Sequence, residues 1–182
     1  MNSKSEYLLK ICAIGSGNVG KTSLIRRYAE GKFDGNYLPT LGVDITTKKI
    51  VVKDTPTKLI LVDTAGQEFF GKLRPNYYRG ASACLILFAL NDRKTFTEVP
   101  NWLDEFQKHI PSPDIPITLA GNKKDLEKER VVTEIEAHKM AKSLNLKYYE
   151  TSALAGGSVI NEIFDDLAQQ VLAQQVIDKK GS

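Results

Sequence analysis

The fold of this chain is indicated most strongly by eight consecutive residues, Gly15-Ser16-Gly17-Asn18-Val19-Gly20-Lys21-Thr22. Two glycines separated by four residues and followed by Lys and Thr form the phosphate-loop pattern, and an apolar run before them and helical spacing after them supply its context. Glycines let backbone N–H groups surround a phosphate at a helix N-terminus, where the helix dipole favours anions. The stretch therefore predicts a nucleoside triphosphate site without naming the base. A glycine-rich connector is the alternative.

The charged and hydroxyl side chains of this loop have predicted roles. Lys21 is expected to bridge the β- and γ-phosphates, and Thr22 is expected to give its hydroxyl to a magnesium ion. The predicted nucleotide contacts of the loop are Gly15, Ser16, Gly17, Asn18, Val19, Gly20, Lys21, Thr22 and Ser23.

Apolar runs bounded by turn residues recur along the chain, with helical spacing between them. They are residues 7–14, 45–52, 58–62, 83–90, 115–120 and 146–149. The later runs are nearly continuous in hydrophobicity, as strands covered on both faces are. Strands that alternate with helices predict an α/β fold with a largely parallel sheet and helices on both sides. Ligands of such sheets bind at the carboxyl ends of the strands.

The helices are expected in the intervals between these runs. Apolar residues at helical spacing follow the first run and the fourth, and Pro100 is expected at the first position of a restarted helix, because proline breaks a helix interior. A further helix is predicted from about Thr133 to Leu144, and the last begins after Ser158.

Size and composition exclude several classes of protein. The chain has 182 residues, 42% of them hydrophobic, which predicts one globular domain. Acidic and basic residues are mixed and the net charge is +3, so no nucleic-acid partner is expected. Cys12 and Cys84 lie in apolar runs, which indicates buried reduced thiols. Because no apolar leader or membrane-length run occurs, we expect a soluble, cytoplasmic protein.

A second polar loop follows the third apolar run and reads Asp63-Thr64-Ala65-Gly66-Gln67-Glu68. An aspartate at the end of a strand beside a phosphate loop can hold magnesium, usually through water, and Gly66 can offer its backbone N–H to a γ-phosphate. Such a peptide alone is as readily a turn as a site. Its position in a chain that has a phosphate loop favours the site.

Two further loops can read the base. They are Asn122-Lys123-Lys124-Asp125 after the fifth run and Thr151-Ser152-Ala153 after the sixth. The Asp125 carboxylate can accept both the ring N1–H and the amino group of guanine, whereas adenine offers an acceptor at N1. Asn122 is expected to brace the loops, and Lys123 to lay its methylenes over the base. A polar turn is the alternative for the first tetrapeptide alone.

The order of these motifs resembles the Ras superfamily of small GTPases. Residues 77–81, Tyr-Tyr-Arg-Gly-Ala, and 41–44, Leu-Gly-Val-Asp, are most similar to the Rab family. The resemblance implies a P-loop NTPase fold, with a six-stranded mostly parallel sheet, an antiparallel second strand and about five helices on both faces. It also implies a single G domain over residues 1–182 with its core at about 7–176, and two switch segments, at about 33–42 and 63–78.

The resemblance carries further site residues onto this chain. It implies that Phe33 packs beside guanine, that Tyr37 contacts the nucleotide, and that the Thr40 hydroxyl binds magnesium in the GTP state. The metal ligands are then Thr22, Thr40 and Asp63. The remaining predicted nucleotide contacts are Gly66, Asn122, Lys123, Asp125, Ser152, Ala153 and Leu154. At Leu154 the family usually has a lysine.

These residues predict a guanine-nucleotide-dependent molecular switch. Gln67 is expected to orient the attacking water, and Lys21 is expected to neutralise charge on the phosphates. The expected cofactors and ligands are Mg²⁺ and GTP or GDP. The expected partners are GTP-state effectors, an exchange factor and a GTPase-activating protein, and the Rab likeness extends this expectation to vesicle trafficking. We expect a monomer.

Two alternatives to the switch stay open. One is a GTP-binding interaction module with little hydrolysis. The joint presence of five residues argues against it: Gly17, Thr22, Thr40, Asp63 and Gln67. The other is a phosphate-loop kinase of small substrates or an ATPase, which would be expected to lack the two base-reading loops.

The chain departs from the Rab pattern on the expected partner surface and near its C-terminus. The resemblance places Ile45, Val62 and Tyr77 on one surface beside the switches, and Ile45 and Val62 replace a Phe and a Trp. Prenylation needs a C-terminal cysteine, which this chain lacks. No lipid anchor is therefore expected in this chain, either because it is truncated or because the protein carries none.

Overall fold

The computed structural model describes residues 6–33, 40, 42–65, 74–110 and 112–181, without the side chains of residues 176–181. Three predicted site residues, Tyr37, Gly66 and Gln67, lie outside the described residues.

The described residues form one six-stranded sheet in the order β2-β3-β1-β4-β5-β6. The strands are β1 Tyr7–Ile14, β2 Val43–Val52, β3 Thr55–Thr64, β4 Ala83–Ala89, β5 Ile117–Asn122 and β6 Lys147–Glu150. The pair β2–β3 is antiparallel, and the other four pairs are parallel. The predicted α/β fold with an antiparallel second strand is confirmed.

Strands β2 and β3 form a hairpin that closes on two residues. Lys53 and Asp54 have positive φ angles of 47° and 61°, and the ladder begins at the next pair, Val52 with Thr55. A two-residue turn with both φ angles positive matches the right-handed twist of the strands that it joins. The register that follows sets Ile45 opposite Val62.

Six α-helices lie within the described ranges: α1 Lys21–Glu30, α2 Arg74–Tyr78, α3 Arg93–Thr97, α4 Val99–Gln107, α5 Glu134–Ser143 and α6 Ser158–Gly181. Thr133 starts α5 with a reciprocal capping box to Glu136. The predicted restart at Pro100 occurs, but Pro100 is the second residue of α4 rather than the first. Either position suits proline, because the first N–H groups of a helix have no partner within it.

Two apolar cores cover the two faces of the sheet. Leu9, Ile11 and Ala13 of β1 face a cluster that includes α1 and α6, whereas Cys12 and Ile14 face one that includes α2 to α5. This alternation is the period-two pattern of a strand that is buried on both faces. Helices on both sides of the sheet are confirmed.

The two cysteines are free and buried, as predicted. They are register partners on adjacent strands, and burial raises the pKa of the Cys12 thiol to about 12. Because the thiolate is the reactive form, both side chains act as small apolar groups.

The predicted partner surface needs one correction. Ile45 is 57% exposed and Tyr77 is partly buried, but Val62 is only 1% exposed and belongs to the core cluster beneath α2 to α5. The prediction that Val62 lies on the surface is wrong. Its register partner Ile45 points to the same face of the sheet, but Ile45 lies on the edge strand β2, whereas Val62 lies one strand further in and is covered by the core cluster. Among the described helices, none has the length and apolar character of a membrane span.

Candidate active site

The predicted site residues lie at the carboxyl ends of two neighbouring pairs of strands. The phosphate loop follows β1, and Asp63 lies near the end of the adjacent strand β3. The two base-reading loops follow β5 and β6, which are also adjacent. Because parallel strands end at the same edge of the sheet, the four loops meet there.

The phosphate loop is packed so closely that two of its glycines have no room for a side chain. A Cβ at Gly15 would lie 2.2 Å from the Leu87 carbonyl oxygen, and one at Gly20 would lie 2.3 Å from Nδ2 of Asn122. Both glycines also have positive φ angles, of 136° and 93°. The loop thus requires glycine at these positions for both space and backbone conformation.

The Lys21 ammonium lies inside the curve of the loop. Its Nζ donates to the carbonyl oxygens of Gly15 and Ser16, both at 2.8 Å, and the residue is only 6% exposed. Desolvation lowers the pKa of Lys21 to about 8, against the opposing charge of Asp63. A phosphate that approached this ammonium would restore the charge stabilisation that burial has removed.

Oxygen atoms of three segments converge beside this lysine. The Thr22 hydroxyl donates to Oδ2 of Asp63, and the Thr40 hydroxyl lies 3.1 Å from the same oxygen and 2.9 Å from the Thr22 hydroxyl. Oδ1 of Asp63 is buried and has no hydrogen-bond partner among the described residues. Burial raises the pKa of Asp63, against these hydrogen bonds and Lys21. Two half-buried hydroxyl oxygens and a buried carboxylate with an unused acceptor fit Mg²⁺, a hard cation that prefers oxygen ligands.

The base-reading loops are joined by Asn122, which is 1% exposed. Its Nδ2 donates to the Val19 carbonyl at 2.9 Å, which ties β5 to the phosphate loop. Its Oδ1 accepts from the Thr151 hydroxyl at 3.1 Å and from the Ala153 N–H at 3.2 Å. The predicted brace between the loops is present in the structure.

The remaining base-reading residues surround this brace. The Ser152 hydroxyl donates to Oδ1 of Asp125 and accepts from the Ala155 N–H at 2.9 Å, so the carboxylate is oriented from the β6 side. Lys123 has a φ of 68°, and burial lowers its pKa. Leu154 is 52% exposed. Every described base-reading residue lies at this edge of the sheet.

Comparison with known proteins identifies the family to which a chain with this fold and this site belongs. A model of the Ras family matches residues 10–173. The chain belongs to the Ras family. Ras-related protein Rab-21 of Bos taurus is 38% identical over 174 residues, covering 96% of this chain and 78% of that protein. Ras-related protein Rab-22A of Homo sapiens is 39% identical over 163 residues, covering 90% and 83%. The chain is therefore a Rab-like small GTPase, a guanine-nucleotide-binding GTP hydrolase.

In this Ras-family protein, two residues that the motifs do not include support the phosphate loop. The Ser16 hydroxyl donates to Glu98 and accepts from Nε1 of Trp102 at 3.1 Å. The sequence indicated Trp102 only as part of the apolar face of a helix. Its indole is 8% exposed, and a buried indole N–H usually has a partner, which was the signal available.

The same tryptophan connects the loop to the start of α2, directly after the undescribed residues 66–73. The Arg74 guanidinium lies over the Trp102 ring, with Cζ 4.4 Å from its centroid. Nε and Nη2 of Arg74 donate to the two carboxylate oxygens of Glu105, each at 2.8 Å. Through Trp102 and Glu105, the end of the second predicted switch segment is anchored to the helix that supports Ser16.

Proposed function

We propose that this Rab-like GTPase is a magnesium-dependent switch that hydrolyses GTP slowly. The observation that carries the proposal is the convergence of Thr22, Thr40 and Asp63 beside Lys21. Thr40 belongs to the first predicted switch segment, whereas Thr22 lies in the first turn of α1 and Asp63 lies near the end of β3, where the second predicted switch segment begins. A ligand that binds all three would tie the switch to the sheet.

Thr22, Thr40 and Asp63 would hold the magnesium ion, Asp63 through water or directly. When bound, the ion supplies neutralisation of charge on the β- and γ-phosphate oxygens. Oδ1 of Asp63, which has no partner among the residues that the structure describes, supports this assignment, because a buried carboxylate oxygen without a partner is costly.

Hydrolysis needs a positioned water and neutralised phosphate oxygens rather than covalent catalysis by the protein. Lys21 is proposed to hold the β- and γ-phosphates, and Gln67 to orient the water. Arg74 is committed to Glu105, so we assign it no role on the phosphate. With Arg74 engaged in this way, turnover on the order of 10⁻⁴ per second is expected, and an activating protein would accelerate it.

Guanine is proposed to bind between Phe33, Lys123 and the Ser152–Leu154 turn, with Asp125 receiving its two N–H donors. Ser152 orients one oxygen of that carboxylate, which leaves the other exposed to a ligand. Loss of the γ-phosphate would then release Thr40 and change the surface offered to effectors. Exchange factors, effectors and a role in vesicle trafficking are proposed from the Rab likeness.

Single-turnover hydrolysis of GTP by wild type and Gln67→Leu tests the proposal. We expect slow, magnesium-dependent phosphate release by wild type. Slower release by the variant is expected at unchanged GTP binding, because only the water-orienting amide is lost. Gly17→Val should behave in the same way, since a branched side chain is placed beside the γ-phosphate.

The assay also separates the switch from an interaction module with little hydrolysis. Retained GTP without phosphate release by wild type would favour the module. Equal rates for wild type and Gln67→Leu would remove Gln67 from the mechanism.

A further inference from the structure

The Arg27 side chain, in the last turn of α1, bonds to the turn that follows β6. Its Nε donates to the Ala153 carbonyl at 2.9 Å and its Nη2 to the Leu154 carbonyl at 2.6 Å. These acceptors are 126 and 127 residues away in sequence. The nucleotide-binding motifs do not include Arg27, yet its guanidinium connects α1 directly to a base-reading loop.

Arg27 also touches the start of the first predicted switch segment. Its Cζ lies 5.9 Å from the centroid of the Phe33 ring, and Nη1 donates to the Gly31 carbonyl at 3.2 Å. Gly156 packs against the other side, since a Cβ there would lie 3.6 Å from Nε of Arg27. One guanidinium thus contacts both the turn and the aromatic ring that are proposed to enclose guanine.

The contact to Gly31 alone would be an ordinary feature of a helix end, because basic side chains often bond the last carbonyls of a helix. The two bonds to Ala153 and Leu154 are different, since they leave the helix and reach another loop. A planar guanidinium can donate in several fixed directions at once, which a lysine ammonium on a flexible stem cannot reproduce.

The turn needs such support in this chain. Asn122 holds it from the interior through the Ala153 N–H, but the Leu154 side chain is 52% exposed. Movement of the turn would also move Ser152, whose hydroxyl orients the Asp125 carboxylate. A path of direct contacts therefore runs from Arg27 through the turn to the group proposed to recognise guanine.

We propose that Arg27 is a positioning residue for guanine recognition that sets how long GDP stays bound and how well guanine is distinguished from hypoxanthine. The inference rests on the proposed function, because it takes a guanine nucleotide as the ligand. Hypoxanthine is the informative comparison, since it lacks the exocyclic amino group that Asp125 is proposed to receive.

The test measures release of GDP and IDP from wild type, Arg27→Gln and Arg27→Lys. Arg26→Gln is the matched control, because Arg26 is the preceding residue of the same helix and is exposed. We expect about tenfold faster GDP release from Arg27→Gln, as expected for the loss of charge-assisted hydrogen bonds. The ratio of GDP to IDP affinity should fall, Arg27→Lys should be intermediate, and Arg26→Gln should match wild type.

Two results would overturn the inference while leaving guanine binding intact. One is GDP release from Arg27→Gln at the wild-type rate. The other is faster release with an unchanged GDP to IDP ratio, which would indicate general loosening of the fold rather than positioning of the turn. Should Arg27→Gln fail to fold, the same two criteria apply to Arg27→Lys. A wild-type protein that retains no GDP would instead overturn the proposed function itself, and this inference with it.

Discussion

The phosphate side and the base side of the site are built in different ways. On the base side, Asn122 uses both of its polar atoms, and Asp125 and Ser152 hold each other. On the phosphate side, Thr22 and Thr40 share one oxygen of Asp63, and the other oxygen is buried without a described partner. On the base side the buried polar atoms of Asn122 are paired within the protein, whereas on the phosphate side a buried oxygen of Asp63 has no partner among the described residues. A switch benefits from this difference, because the part that must change is the part that its ligand completes.

The largest expected effect comes from breaking the base side at Asp125. Asp125→Asn should lower GDP affinity by on the order of 10⁴-fold, because one acceptor becomes a donor that faces the donors of guanine. Affinity for xanthosine diphosphate, measured in parallel, should rise, since its C2 oxygen can accept from the new amide. Unchanged GDP affinity would remove Asp125 from the site.

The junction between the two sides is tested at Gly20. Gly20→Ala should lower the free energy of unfolding by roughly 2–5 kcal/mol, through positive-φ strain and displacement of Asn122. Gly31→Ala is the control, because Gly31 also has a positive φ, of 69°, but a Cβ there would meet nothing within 4 Å. Denaturant unfolding should show the larger loss at Gly20. Equal losses would mean that contact with Asn122 contributes nothing.

The phosphate side is tested at the Thr22 hydroxyl. In wild type, Mg²⁺ should slow GDP release. In Thr22→Ala this slowing should be roughly 100-fold smaller, which is the size of the loss seen when residues around other metal sites are substituted. Thr22→Ser keeps the hydroxyl and should stay close to wild type. GDP release measured with Mg²⁺ and with EDTA provides the comparison, and full magnesium dependence in Thr22→Ala would contradict the assignment.

The smallest expected effect concerns the support behind the phosphate loop. Trp102→Phe removes the donor to Ser16 and should cost about 1–2 kcal/mol of unfolding free energy, as for one buried hydrogen bond with some lost packing. Because the change lies on the phosphate side, the GDP to IDP affinity ratio should stay at the wild-type value. A changed ratio would show that the two sides are not independent.

Local patterns were sufficient to predict the six strands and the loops that follow them, but they did not predict α2. All six predicted runs are strands, and the phosphate loop and both base-reading loops lie where their motifs placed them. The bounds of β3 were predicted too short, at 58–62 instead of Thr55–Thr64. Its polar ends have no apolar signal and are strand because β2 pairs with them along their full length.

The residues that sequence reasoning missed depend on contacts between distant parts of the chain. Arg27 bonds to a loop more than a hundred residues away, and Ser16 bonds to Glu98 across 82 residues. No local spacing marks such a pair. The error at Val62 has a related cause, because Val62 and Ile45 point to the same face of the sheet and only contacts with elements distant in sequence decide which of the two is covered.

The central position of β1 has a consequence for synthesis on the ribosome. β1 is translated before the other strands of this sheet, and its register partners on β3 and β4 follow it by 50 and 72 residues. The core on one of its faces is completed by Phe164 and Leu167 of the last helix. Until α6 has left the exit tunnel, Leu9 and Ile11 lack that cover. The nascent chain therefore exposes this apolar face of β1 for most of its translation, and this is the interval in which chaperones would be needed most.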